Sequence, residues 1–171
     1  MSAKLCRCLT VDQTLMLADC VRSAIQGWLL TCPRSRQTAL RLQSQFTTHS
    51  GFSFSRFAHA ATAAFGGDYR PTCPGTGSEF PLSISESISL ANDIELGLAN
   101  DDEIFAAGLI AAHSPLGQPQ VGSSEWRTYV AAMRVLNVAF LDGDPDWKTK
   151  VRDRLTVFRR HVASVDHIAA E

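Results

Sequence analysis

An all-α fold is predicted for this chain: a single-domain bundle of six or seven helices around a buried central helix. Three observations predict it. Apolar residues recur at three- and four-residue steps along most of the 171 residues, and no stretch alternates as a half-buried strand does. A polar residue followed three residues later by Gln or Glu, the reciprocal capping pattern of a helix start, occurs at Thr10/Gln13, Ser83/Glu86 and Asn100/Glu103. The run Ile104 to Ala112, IFAAGLIAA, is apolar or Gly at every position. A helix that is apolar all round belongs inside a fold, and nine residues are too few to cross a bilayer.

The first helix is expected over Val11 to Cys32. Val11, Leu15, Ala18, Val21, Ile25, Trp28, Leu29 and Cys32 share one face, and Pro33 closes the helix. A weaker, more polar helix is expected over 35–48. A third, over 53–65, places Phe54, Phe57, Ala58, Ala61 and Phe65 inward and ends at Gly66-Gly67. GGDYRPTCPGTGSEFP, residues 66–81, reads as a long ordered loop. A helix over 83–99 turns Ile84, Ile88, Ala91, Ile94 and Leu98 inward, and the buried helix follows to His113. After a loop over 114–123, a helix over 124–141 carries Trp126, Tyr129, Val130, Met133, Leu136 and Phe140 on one face. The last helix, over 145–167, opens on Asp144-Pro145 as cap and first residue, with Asp146 in the first turn. Its stripe is Trp147, Val151, Leu155, Phe158, Val162, Val165 and Ala169. The chain is thus one domain over 1–171, with residues 1–9 as a flexible lead and long loops over 66–82 and 114–123.

Charge is segregated although the net is −1. Residues 1–70 sum to +5, residues 71–126 to −8 with no Lys or Arg at all, and residues 127–171 to +2. Near-neutral balance argues against nucleic acid, and no apolar run is long enough to enter a membrane. Five cysteines without framework spacing, and no recognisable export signal, predict reduced thiols and a cytoplasmic location, with secretion by a route lacking a cleaved signal still compatible.

The acidic block raises the first functional question. Asn100, Asp101, Asp102 and Glu103 are ordinary for a helix start, where carboxylates offset the helix dipole and satisfy free N–H groups. Asp93 and Glu95 are not covered by that grammar. They imply either a solvated face or, with Asp101 and Asp102, an acidic surface that docks a basic partner.

Chemistry-bearing patterns are sparse. Asp142, Asp144, Asp146 and Asp153 echo a calcium loop, but Trp147 stands where the turn wants Gly, and Lys148 and Lys150 add positive charge. The cysteines lack zinc spacing, and Cys20 and Cys32 read as small buried hydrophobes. Cys73, in the loop, is the thiol with a chance of exposure. No phosphate-cradling loop and no nucleophile elbow occur. No cofactor and no metal are implied. Arg22 and Asn137 interrupt apolar stripes. They suggest an internal ion pair with the acidic block, or a polar pocket between helices.

The expected function is therefore binding. The leading reading is an intracellular protein-binding module (regulator, inhibitor, chaperone or adaptor) that meets a basic partner protein through Asp93, Glu95, Asp101 and Asp102, with room for a homodimer. The alternative is a small-molecule-binding domain or enzyme with a pocket near Arg22, Asn137 and Cys73.

Overall fold

Each of the long helices begins where a side chain can satisfy the free N–H groups of its first turn. In α1 (Val11–Thr31) the Thr10 hydroxyl accepts from the Gln13 N–H at 3.1 Å, and the Gln13 side chain accepts from the Thr10 N–H at 2.9 Å. In α4 (Ile84–Glu95) Ser83 and Glu86 exchange the same pair of bonds. In α5 (Asp101–His113) Asn100 and Glu103 do so at 2.9 and 3.3 Å. All three reciprocal caps stand where the sequence places them. Between and after these helices lie α2 (Arg36–Gln45), α3 (Phe54–Phe65), α6 (Ser124–Leu136) and α7 (Trp147–Arg154). This computed structural model describes residues 9–72, 77–113, 119–136 and 146–155, and its seven helices form a single mostly helical domain.

The core is one continuous apolar cluster fed by every helix. α5 is enclosed, with nine of its 13 residues buried, as its uninterrupted apolar run requires. α1 shares the central position: it packs against α2, α4, α5 and α6. Leu17, Ala18, Cys20, Val21, Ala24, Ile25, Trp28 and Leu29 are buried, so its apolar stripe widens into a broad face. The first turns of α1 depart from expectation. Val11 is 76% exposed and Leu15 40%, so among the described residues the stripe runs on past the core.

α7 is fastened to α5 by stacking and charge. The His113 ring lies parallel to Trp147 at 5.1 Å. Arg154 pairs with Asp102 at 3.1 Å and lies 4.7 Å from the Phe105 ring. Lys148 lies over Trp28 and Trp147 and donates to the Ser78 hydroxyl at 2.6 Å.

Three boundaries differ from the sequence reading. α2 stops at Gln45, because Thr47–Thr48 and Gly51–Phe52 form a two-residue antiparallel hairpin where no strand was expected. α4 stops at Glu95: Gly97 takes a φ of +74°, and the N–H groups of Leu98 and Ala99 close on the Asp93 carbonyl. Leu98 is consequently 70% exposed rather than inward. α7 begins at Trp147 with Asp146 at the cap position, two residues later than the Asp144-Pro145 start, whose residues lie outside those described. So do Phe140 and the stripe beyond Leu155. Within the 66–83 loop, Phe80 donates to the Pro71 carbonyl at 2.8 Å and buries its ring with Leu82, so the described parts of that loop are folded onto the core.

Candidate functional site

Arg22 sits among buried neighbours on α1, flanked by Ala18, Val21 and Ile25. A guanidinium there must find acceptors, and it finds three. Nη1 donates to Asp19 Oδ1 at 3.0 Å. Nη2 donates to Glu95 Oε2 at 2.8 Å and to Asn92 Oδ1 at 3.2 Å, both on α4. The side chain is 16% exposed, whereas Glu95 and Asp19 are 45% and 68% exposed. The expected internal pair with the acidic block is therefore present.

A pocket is present as well. A cleft of about 600 Å³ opens between α1, α3 and α4, with Arg22 at its edge. Phe54 and Ala58 from α3 and Ile88 from α4 supply apolar walls. Ser55, His59 and Thr62 supply hydroxyls and an imidazole, and Asp19, Asn92 and Glu95 complete the rim. The volume falls within the range of small-molecule sites. Two carboxylates against one guanidinium leave the rim net negative, so it suits a cation better than an anion.

α3's share of this cleft was not read from the sequence. His59 lies on the polar side of α3 and is exposed. The signal was there in the i, i+4 spacing of Ser55 and His59, which aligns them on one face. No hydrogen bond joins Ser55 to His59, or His59 to Asp19 or Glu95, so a nucleophile and base are not assembled there.

The four acids assigned to a partner surface go separate ways. Glu95 faces Arg22 across the cleft. Asp102 pairs with Arg154 of α7. Asp93 is half-buried at the end of α4, and Asp101, also half-buried, opens α5. Between these pairs the turn exposes Leu96 and Leu98. Asn137 and Cys73, the other expected pocket residues, lie outside the described residues, as do Asp142 and Asp144 of the calcium-like loop. Among the described residues no group of three or more His, Cys, Asp or Glu side chains could hold a metal ion, and no helix is long and apolar enough to cross a membrane.

Cys20 and Cys32 are buried thiols with opposite chemistry. Burial, helped by the Asp19 charge, pushes the Cys20 thiol up to about 12. Burial also works against the Cys32 thiolate, but hydrogen bonds outweigh it: Tyr69 OH at 3.5 Å, Thr72 Oγ1 at 3.7 Å, and backbone N–H groups of Thr72 and Arg34 bring it down to about 6. Sequence reasoning looked to Cys73 for thiol chemistry and passed over Cys32, because the Tyr69 and Thr72 hydroxyls reach it from 37 and 40 residues away. Comparison of the chain with protein-family models, with curated proteins and with solved structures finds no match.

Proposed function

We propose that this chain acts by binding, and that the cleft between α1, α3 and α4 receives a small organic ligand with an apolar body and a cationic end. The observation that carries this reading is the placement of Arg22: its guanidinium already donates to Asp19, Asn92 and Glu95 and is flanked by two carboxylates, at the edge of a cleft walled by Phe54, Ala58 and Ile88. An anion would meet the like charges of Asp19 and Glu95 beside that guanidinium. A cation can add to the exposed oxygens of Asp19 and Glu95 while its hydrocarbon covers the apolar wall. Thermal-shift screening with matched sets of aryl-alkyl amines and carboxylates tests it. At ten times its Kd, a binding amine should raise Tm by about 3 °C, and Asp19→Asn with Glu95→Gln should remove the shift. Stabilisation by the carboxylates alone, or by neither set, would reject the reading.

A second reading keeps a basic partner protein at Asp93, Glu95, Asp101 and Asp102. Leu96 and Leu98, 68% and 70% exposed between those acids, favour it, since an apolar centre with a charged rim is the usual anatomy of an interface. A native-lysate pull-down in low and high salt, beside the variant with all four acids reversed and a Leu96→Ser/Leu98→Ser variant, separates the two. A single stoichiometric protein lost in both variants supports this surface; equal capture by all three proteins rejects it.

A further inference from the structure

The exposed first turns of α1 do not stand alone. Asp12, Leu15, Met16 and Asp19 share one face of α1 at three- and four-residue steps, and Glu125 and Thr128 of α6 face them across a shallow groove of about 280 Å³. Leu15 is 40% exposed at its edge, and Val11, one turn earlier on the same stripe, is 76% exposed. Among the described residues three carboxylates and no cation line the groove. Glu125 is held further in its charged form, below the usual carboxylate range, by its own backbone N–H and the hydroxyls of Ser124 and Ser123 at the start of α6.

We propose that this groove between the start of α1 and the start of α6 is a docking site for an amphipathic helix of a partner protein, apolar on its inner face and lysine- or arginine-rich at its flanks. Two facing helix surfaces, with Leu15 and Met16 as the apolar part of the lining, accept a third helix by ordinary ridge-into-groove packing. The occupant is cationic, because Asp12 and Glu125, which line the groove beside the Arg22-paired Asp19, would otherwise be left facing apolar surface and losing water. A second copy of this chain is disfavoured on the same ground: a two-fold contact would set Asp12, Asp19 and Glu125 against their own like charges. An anionic membrane surface is repelled likewise.

Asp19 lines both this groove and the cleft at Arg22, so the test uses Asp12 and Glu125 and leaves the cleft intact. The probe is a fluorescent peptide of leucine and lysine, about 18 residues or five turns long, with leucines at helical spacing. It is compared with a shuffled peptide of the same composition and with a leucine/glutamate peptide of the same spacing, by anisotropy on the full chain. The patterned cationic peptide should bind, and its affinity should fall about tenfold between about 50 and about 300 mM salt. Asp12→Lys/Glu125→Lys should weaken it at least about tenfold, and Leu15→Ser comparably, with circular dichroism unchanged. An Asp93→Lys/Asp101→Lys variant should bind as the native chain does. Amide shifts confined to Val11–Asp19 and Ser124–Thr128 would place the contact. Equal binding of the shuffled peptide, indifference to the groove substitutions, or a concentration-dependent doubling of mass abolished by Leu15→Ser without peptide binding would each overturn the proposal.

Discussion

Arg22 Nη2 lies 2.8 Å from Glu95 Oε2, joining the middle of α1 to the end of α4 across 73 residues of sequence. The contact ties α1 to α4 at the edge of the cleft. The arginine is nearly buried and the glutamate nearly half exposed, so water screens part of the attraction.

A double-mutant cycle of Arg22→Met and Glu95→Gln should give a coupling energy of about 0.5–1 kcal/mol, shrinking in high salt. Arg22→Met alone should cost more than that coupling, because it also strips Asn92 and Asp19 of a donor. Urea denaturation of the four proteins measures both numbers. Zero coupling at low salt would mean that the pair does not set the cleft.

Tyr129 is 1% exposed and its hydroxyl donates to the Ala111 carbonyl at 3.2 Å, pinning α6 to α5. Tyr129→Phe should cost about 1 kcal/mol in urea denaturation at neutral pH. Burial, helped by the Cys20 charge, holds the phenol well above its ordinary value of 10.0. A raised acid stabilises the fold below its unfolded pKa, and that stability is lost as pH rises above it. The native chain should therefore lose stability above pH 10 more steeply than Tyr129→Phe.

Cys32 predicts the opposite slope. Its thiol is lowered from 9.0 to about 6, so its contribution is complete above 9.0 and lost as pH falls through about 6. The native chain should gain stability between those values relative to Cys32→Ser. The difference in thiolate absorbance between the two proteins should titrate with a midpoint near 6, and Tyr69→Phe should move that midpoint upward by removing a hydrogen-bond donor. A midpoint near 9 in the native chain would show that the Tyr69 and Thr72 hydroxyls do not hold a thiolate.

Ile110 is fully buried on α5, while Leu98 stands 70% exposed just before it. Ile110→Ala should cost about 3 kcal/mol and lower Tm by about 6–12 °C, and Leu98→Ala should change stability by no more than about 0.5 kcal/mol. Calorimetry on the two variants checks the assignment of α5 to the core. Equal effects would contradict it.

Much of the fold was legible because its signals are local. Thr10/Gln13, Ser83/Glu86 and Asn100/Glu103 each satisfy one another within a single helical turn, so their spacing alone announces the helix start. The run from Ile104 to Ala112 has no polar face to turn toward water, so its burial follows from composition. Arg22 announced itself by breaking an apolar stripe, and the acidic block offered it carboxylates in plenty. What the chain's order alone determined, then, was the set of helices, the buried segment and the need of Arg22 for acceptors.

Tertiary packing decided the rest, because it depends on contacts between residues far apart in the chain. It chose Glu95 and Asn92 from the candidate partners of Arg22, and gave Asp102 to Arg154 across 52 residues. It turned the polar face of α3 into a cleft wall and set two hydroxyls around Cys32. It also left Val11 and Leu15 bare, although their periodicity matches that of the buried residues after them. Periodicity records which face of a helix is apolar; whether a neighbour arrives to cover that face is set by where the other helices end.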